Sequence, residues 1–266
     1  MRPGEKLNVA ILGMGVVGRA QERMFGCRDH NVVTYDPKDD RAYPGEISKA
    51  DFAVICVGTP AREGSNGEAD LTGVHAAIDG LPVSMPVLLR STVPPGTTEQ
   101  IAAGHEAPVV HCPEFMYERP GGQWHSSMAV PWMLLGGDPE ARQFFRQPLE
   151  RVFPGTIWEC RATVAELAKY TANLYWATRV TFVNEMAAIA SAFGEDWADV
   201  RDAWLCDKRV SPAYTAMEGF PPGFGGRCWP KDLDAMIAAA EKAGYFPGFL
   251  CSVDEENQRF SVCEEC

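Results

Sequence analysis

The stretch Asn8–Gly18, NVAILGMGVVG, decides the fold. Its first five residues are almost all apolar and predict a short buried strand. Three glycines with the spacing G-x-G-x-x-G follow, and the next residues, 19–25, predict a helix. A strand, a glycine turn and a helix in this order let the backbone at a helix N-terminus approach a pyrophosphate. The stretch therefore predicts a dinucleotide-binding βαβ unit.

A second predicted strand, 31–35, ends in Asp36, which lies 23 residues after Gly13. This is near the spacing at which a carboxylate binds the adenosine ribose hydroxyls of a dinucleotide. Because a carboxylate there would repel a 2′-phosphate, the sequence predicts NAD rather than NADP. The alternative is a glycine turn in another kind of βαβ unit, with Asp36 as an ordinary surface residue.

Strands continue to alternate with helices through the first half of the chain. Further strands are predicted at 52–57, 87–89, 109–111 and 132–135, and helices at 71–78, from about 99, and at 139–150. This alternation predicts a parallel sheet of the Rossmann type, with helices on both faces. The turns that follow the third and fourth strands contain Gly58-Thr59-Pro60 and the hydroxyl-rich segment 91–98. Turns at these strand ends are where ligands bind in such sheets.

The second half of the chain predicts helices only. From Thr163 to Ala192 there is no glycine or proline, which predicts one long, largely buried helix with Glu166, Lys169 and Asn173 on one face. Shorter helices are predicted at 197–204, 234–243 and 249–260. We therefore expect a doubly wound domain at 1–158 and an all-helical domain at 159–266, with the active site in the cleft between them.

Composition excludes several classes of partner. The 266 residues are 46% hydrophobic and 23% charged, as in an ordinary globular protein. A net charge of −12 argues against nucleic acid or an anionic membrane. No apolar run approaches the length of about 18 residues that a membrane span needs, so a cytoplasmic protein is expected.

The nine cysteines form no framework pattern, which favours reduced thiols over disulfides. Cys263 and Cys266 form a C-x-x-C, but no second pair lies at zinc-ligand spacing, so no metal site is predicted. Cys228 differs from the others in its context, because it lies in the segment Gly223–Asp232, GFGGRCWPKD. Three glycines and a proline predict a loop that brings a thiol close to a ligand. The alternative is an inert loop cysteine.

Several ordered motifs resemble the UDP-glucose and GDP-mannose dehydrogenases, the nucleotide-sugar dehydrogenase family. The motifs are the glycine turn at 13–18, CVGTP at 56–60, ADL at 69–71, STVPPGTT at 91–98, PEF at 113–115, Glu166-x-x-Lys169-x-x-x-Asn173, and GFGG-x-C-x-PKD at 223–232. The resemblance implies a Rossmann domain followed by a helical domain similar to that of 6-phosphogluconate dehydrogenase. It also implies NAD-dependent oxidation of a primary alcohol to a carboxylate in two steps, through a thiohemiacetal and a thioester on a cysteine.

Carried over residue by residue, the resemblance implies a set of site residues. Cys228 would be the nucleophile, Lys169 and Asn173 would stabilise the oxyanion, and Asp232 would orient water or Lys169. Glu118 would serve thioester hydrolysis through water, with Thr92 helping to position it. The implied cofactor-binding residues are Gly13, Gly15, Val16, Val17, Gly18, Asp36, Val57, Gly58, Thr59, Thr92 and Lys231.

Two of these residues have simpler interpretations. Lys169 could be a surface lysine whose stem packs along an apolar helix. Glu118 could be a solvated loop carboxylate, because the residues that follow it, 119–122, depart from the family pattern.

The sequence also departs from the family in ways that concern the substrate. The third, C-terminal domain of the family is not matched, and residues 213–222 do not clearly match its phosphate-binding loop. The substrate could therefore be a sugar, a nucleotide sugar or another polar alcohol. Two further alternatives are a two-electron hydroxyacid dehydrogenase of the 3-hydroxyisobutyrate type and a catalytically idle NAD-binding or assembly protein. The apolar helix at 163–192 favours a homodimer.

Overall fold

The computed structural model describes residues 6–28, 30–38, 44–116, 118–119, 123–124, 130–217 and 221–262. No helix within these ranges is long and apolar enough to cross a membrane. In chain order the strands are β1 (Asn8–Leu12), β2 (Asn31–Tyr35), β3 (Phe52–Ile55), β4 (Val87–Leu89), β5 (Val109–His111), β6 (Glu118–Arg119), β7 (Gln123–Trp124), β8 (Trp132–Gly136) and β9 (Thr156–Cys160).

Seven of these strands form one sheet in the order β2-β1-β3-β4-β5-β8-β9, and β6 pairs with β7 separately. The first five strands of the sheet are parallel, with Val9 opposite Val32 on one side and Phe52 on the other. The predicted Rossmann-type sheet is confirmed.

The expectation of a parallel sheet is wrong at one junction. β5 and β8 are antiparallel, and His111 pairs with Gly136 there. Between the two strands the described elements are the short β6 and β7 rather than a crossover helix, so the chain returns in the opposite direction. β8 then pairs in parallel with β9 after the crossover helix that joins them. The sequence does not predict a strand at β9.

The helices are α1 (Val16–Gly26), α2 (Pro44–Ile47), α3 (Thr72–Asp79), α4 (Thr97–Ala103), α5 (Pro139–Val152), α6 (Ala162–Ala192), α7 (Trp197–Trp204), α8 (Trp229–Lys242) and α9 (Gly248–Val262). Their existence agrees with the predictions except for the short α2. α8 begins five residues earlier than predicted, because Pro230 lies in its first turn, where a missing N–H costs nothing.

Two apolar layers cover the sheet, as the alternation of side chains along a strand requires. Val9 and Ile11 of β1 face the layer that contains Phe25 of α1 and Phe145 of α5. Ala10 and Leu12 of the same strand face the layer that contains α3 and α4. The sheet is therefore covered by helices on both faces, and its carboxyl edge carries the turns.

The chain divides into two compact units. The first comprises residues 1–60 and 69–169, and the second comprises 61–68 and 170–266. The second unit has its own core around Leu174, Phe224, Leu233 and Val253. The assignment of cofactor and catalytic roles to two domains stays a prediction.

α6 is buried on one side only, so the prediction of a largely buried helix is wrong. Ala165, Tyr170, Ala177 and Val183 are inaccessible. On the other side, exposed fractions reach 55% for Tyr175, 49% for Phe182 and 42% for Ile189, and Phe193, in the turn directly after the helix, is 81% exposed.

Candidate active site

Each of the three glycines of the first turn lacks a side chain for a different physical reason. Gly13 has a φ of +93°, and a Cβ there would lie 2.8 Å from the backbone of Cys56 and Val57. A Cβ on Gly18 would lie 1.9 Å from the Gly13 carbonyl oxygen, so α1 can pack on β1 only without a side chain. A Cβ on Gly15 would meet no atom within 4 Å. The turn therefore has one open position, where a ligand can approach the backbone.

The N-terminus of α1 is suited to an anion. The first N–H groups of a helix lack intrahelical partners and carry the positive end of the helix dipole. No side chain caps this terminus, and no acidic residue lies in its first turn. The predicted residues Val16, Val17 and Gly18 occupy that turn. Together with the open Gly15, they fit the pyrophosphate of a dinucleotide.

Asp36 lies next to the glycine turn at the end of β2. Its carboxylate accepts hydrogen bonds from the N–H groups of Lys38, at 3.0 Å, and Met14, at 2.8 Å. These bonds hold the pKa of Asp36 below its ordinary value. The site therefore presents a partly exposed, ionised carboxylate beside the turn, as the NAD prediction requires.

The turns after β3 and β4 are bonded to each other. Thr59 donates its hydroxyl to the Thr92 carbonyl at 2.6 Å, and Ser91 donates to the Val57 carbonyl at 2.7 Å. A Cβ on Gly58 would meet nothing within 4 Å, so the backbone between Val57 and Thr59 is open on one side. These predicted cofactor residues share the carboxyl edge of the sheet with the glycine turn.

A buried polar cluster that sequence reasoning missed lies below this edge. Arg90 forms an ion pair with Glu114 and donates to the Cys112 sulfur at 2.7 Å. Gln21 of α1 donates to the same Glu114 carboxylate at 3.2 Å. The ion pair connects two turns, because Arg90 directly precedes Ser91-Thr92 and Glu114 directly precedes Phe115. It therefore fixes both turns of the site. The available signal was an arginine placed directly after an apolar strand, where charge is rare unless paired.

Two residues of α6 belong to the same edge. Glu166 is inaccessible and accepts hydrogen bonds from Gly96 N–H at 2.6 Å, Thr98 N–H at 2.8 Å and the Thr98 hydroxyl at 2.6 Å. It therefore caps α4, although burial still raises the pKa of its carboxyl group. Lys169, only 8% exposed, places its ammonium group 5.2 Å from the centre of the Phe115 ring. Lys169 is thus not a solvated surface lysine.

The loop that carries Cys228 is held in the second unit by two asparagines. Asn184 of α6 accepts from Gly223 N–H at 3.0 Å, while Asn257 of α9 accepts from Phe224 N–H at 2.6 Å and donates to its carbonyl at 3.0 Å. Gly223 has a φ of +82°, and a Cβ there would clash with Asn257 and Ser261. The loop ends at Cys228, which is the N-cap residue of α8.

Asp232 connects the first turn of α8 to α6. It is buried and accepts from the Asn173 amide at 2.6 Å and from the Lys231 ammonium at 2.5 Å. Asn173 lies one helical turn after Lys169. The structure therefore brings Asn173 into contact with Asp232, which Lys231 also contacts, and these last two residues lie four and three residues after Cys228 along the chain. A role for Lys231 at cofactor phosphates stays a prediction.

Cys228 also differs from other thiols of the described chain in its surroundings. Burial raises the pKa of Cys56 to about 12, and it raises those of Cys112 and Cys160 above their ordinary value. Such thiols are poor nucleophiles. Cys228 is exposed and is the N-cap residue of α8, so its sulfur is accessible to a ligand.

Two sets of predicted residues fall outside this description. The side chain of Glu118 lies outside the described residues, although its backbone forms β6. Cys263 and Cys266 also lie outside them. Among the parts of the chain that are described, no group of three metal-ligating side chains occurs.

The sequence matches one family over both of its units. The NAD binding domain of the UDP-glucose/GDP-mannose dehydrogenase family matches residues 39–154, and the central domain of that family matches residues 163–259. The chain belongs to this family. NAD is the cofactor of the matched N-terminal domain, and the glycine turn and Asp36 of this chain fit it.

Individual relatives agree with the family match. UDP-glucose 6-dehydrogenase TuaD of Bacillus subtilis is 31% identical over 97% of this chain and 57% of its own length. The structure of a UDP-glucose dehydrogenase from the archaeon Pyrobaculum islandicum matches this chain with a TM-score of 0.80 and 26% sequence identity. The match covers 97% of this chain and 69% of the archaeal chain. The chain thus spans little more than half of TuaD.

A shorter dehydrogenase shares the fold. The 3-hydroxyisobutyrate dehydrogenase of Mycobacterium tuberculosis has a TM-score of 0.70 over 97% of this chain and 95% of its own, at 17% identity. At that identity the likeness concerns the fold alone.

Proposed function

We propose that this protein is an NAD-dependent dehydrogenase that oxidises a primary alcohol of a sugar or nucleotide sugar to a carboxylate through an adduct on Cys228. The observation that carries the proposal is the arrangement at the start of α8. An exposed thiol occupies the N-cap, and Asp232 in the following turn is bonded to Asn173. Membership in the family and the fit of the glycine turn to NAD support it.

The residues of the chain account for each stage. Two NAD molecules, bound one after the other, would each accept one hydride from the substrate carbon, and the hydroxyl proton lost in each oxidation would pass to water. After the first oxidation, the Cys228 sulfur attacks the aldehyde carbon, and a proton on the oxygen completes a thiohemiacetal. The second oxidation leaves a thioester, and water then attacks its carbonyl carbon, breaks the carbon–sulfur bond and releases the carboxylate. Covalent attachment retains the aldehyde between the two oxidations.

Lys169 and Asn173 suit the oxyanion of these stages. Lys169 supplies a cation from a mostly buried stem, and Asn173 supplies an amide donor one turn later on the same helix. Asp232 accepts from that amide and so fixes its orientation. Donors held in place before the reaction stabilise developing charge without reorganisation. Thr92 and Glu118 are proposed to position the hydrolytic water.

A test of the covalent step compares two cysteines. Cys228→Ser should lower the rate of acid formation from UDP-glucose and NAD at least a hundredfold, because a serine hydroxyl is a far weaker nucleophile near neutral pH. Cys206→Ser, which alters another exposed thiol of the same unit, should leave the rate unchanged. An unchanged rate in Cys228→Ser would eliminate the covalent mechanism. NAD binding by the wild type without turnover of UDP-glucose, GDP-mannose or free sugars would favour the idle protein.

We also propose that the chain forms a homodimer through the exposed side of α6. Tyr175, Phe182 and Ile189 recur every seven residues on this side, and Phe193 extends the row. An apolar row of this length on a helix surface is typical of an interface. Two copies of the same row can pair about a two-fold axis.

A further inference from the structure

Arg179 on α6 has an unusual set of contacts for a partly exposed arginine. Its guanidinium carbon lies 5.9 Å from the centre of the Trp176 ring and 5.7 Å from that of Trp204. The same group donates to the Ser211 carbonyl and, at 3.4 Å, to the Tyr175 hydroxyl. Arg179 therefore contacts two aromatic rings and donates directional hydrogen bonds at the same time. A planar guanidinium can make all of these contacts together, whereas a lysine ammonium cannot.

The segment that Arg179 holds, residues 211–217, contains a strained residue. Tyr214 has a φ of +56°, a left-handed conformation that is uncommon for a residue with a Cβ. Thr215 next to it is buried, donates its hydroxyl to the Pro212 carbonyl at 2.8 Å, and accepts the Trp197 indole N–H at 2.8 Å. Such a conformation persists only where the surrounding contacts determine it.

The Tyr214 ring contacts aromatic rings on α6 and α8. It contacts the Trp176 ring at 5.2 Å and the Trp229 ring at 5.2 Å between centroids. Trp229 is the first residue of α8 and directly follows Cys228. We call Trp176, Tyr214 and Trp229 the aromatic row. It leads from the side chains around Arg179 to the residue beside the proposed nucleophile.

We propose that Arg179 is a positioning residue for the proposed reaction: by holding the Ser211 carbonyl it keeps Tyr214 in its left-handed conformation and the aromatic row in place beside Cys228. The row then forms a fixed surface for the substrate next to the thiol. This inference rests on the proposed function and adds to it a residue that touches neither the substrate nor the cofactor.

The experiment uses the full chain and three arginine variants. Arg179→Met removes the charge and the hydrogen bonds, and Arg179→Lys keeps the charge but loses the planar donor pair. Arg259→Met is the matched control, because Arg259 also lies over a ring, Phe260 at 5.3 Å, and pairs with Glu256 at 3.0 Å, all within α9. Amide hydrogen exchange of peptides covering 211–217 and steady-state kinetics with UDP-glucose and NAD are measured for each.

We expect Arg179→Met to speed exchange in 211–217 at least tenfold and to raise the KM for UDP-glucose at least fivefold, with kcat and the KM for NAD within twofold. The exchange rate and the KM of Arg179→Lys should lie between those of Arg179→Met and the wild type. Both values for Arg259→Met should match the wild type. A purely structural arginine would lower the melting temperature without this KM change. Equal exchange and equal KM in Arg179→Met and Arg259→Met would overturn the proposal.

A second variant addresses the case in which Arg179→Met does not fold. Tyr214→Gly removes the ring but relieves the left-handed strain, so the variant should fold and show the same rise in KM. A wild-type KM in Tyr214→Gly would overturn the proposal. If the wild type does not oxidise UDP-glucose, the proposed function fails on that probe, and the exchange of 211–217 alone then decides the role of Arg179.

Discussion

At the scale of single residues, side chains of the same type differ in their surroundings. Cys56, Cys112 and Cys228 are all thiols, but two of them are buried and one begins a helix. The carboxylates differ in the same way, since Glu166 caps α4 while Asp36 lies partly exposed beside a glycine turn. The sequence motifs single out Asp36 and Cys228, and the roles of both residues stay predictions. The motifs could not predict the function of Glu166 as a cap, because its partners lie about 70 residues away.

Asp36→Asn tests the cofactor assignment. The amide keeps an oxygen that can accept from Met14 N–H but loses the charge that favours ribose hydroxyls and repels a 2′-phosphate. Hydrogen bonds to charged groups contribute about 1.5–3 kcal/mol, so the dissociation constant for NAD should rise about tenfold or more. The variant should bind NADP more tightly than the wild type does. Calorimetric titration of both nucleotides measures this, and an unchanged preference for NAD would contradict it.

At the scale of elements, the periodic helices and apolar strands were predictable, and the exceptions have physical causes. The glycine-rich sequence predicts a loop that continues through Pro230, but a proline is favourable in the first helical turn, so α8 begins earlier than predicted. The reversal of β8 depends on how the chain returns after β5, which no local pattern encodes. β9 was missed because only Ile157 of its five residues is buried, which gives a weak apolar signal.

Gly136→Ala tests the packing of α6 on β8. A Cβ there would lie 2.6 Å from the Ala165 Cβ and 3.1 Å from the backbone of 161–162, so helix and strand would have to separate. Overpacking of this kind costs about 1–3 kcal/mol of unfolding free energy. Gly26→Ala is the control: its Cβ would meet nothing within 4 Å, and it should stabilise by about 0.4–1 kcal/mol. Urea denaturation compares the two, and equal effects would refute the packing argument.

Asp234→Asn tests the contact between α8 and α9. Burial, with the nearby charge of Asp254, raises the pKa of Asp234 above its ordinary 3.8. A raised carboxyl pKa favours the folded state below pH 3.8, and this contribution is lost as the pH rises through the folded pKa. The substitution should therefore raise the free energy of unfolding, and the increase should grow from pH 4 to pH 7. It should stay below about 1 kcal/mol because the group is partly exposed.

Thermal unfolding at several pH values checks the Asp234 prediction. Asp254→Asn should show the same sign, since it removes the charge that acts on Asp234. A stability difference that does not change with pH would show that ionisation is not the cause.

At the scale of the whole molecule, the chain contains both matched domains of the family but spans little more than half of a relative such as TuaD.

The exposed side of α6 departs from the predicted burial. Phe182→Glu places a charge in the middle of the row that Tyr175, Phe182 and Ile189 form. We expect the wild type to have twice the mass of the chain by light scattering, and the variant to have the mass of one chain. A monomeric wild type would refute the proposed interface.

The most direct test of the central claim is the number of NADH molecules formed for each molecule of UDP-glucose consumed. NADH is followed by absorbance and the substrate by chromatography, in a reaction run to completion with excess NAD. Oxidation to the carboxylate through Cys228 predicts two NADH per substrate, with no free aldehyde. One NADH per substrate would contradict the account and favour the two-electron dehydrogenase.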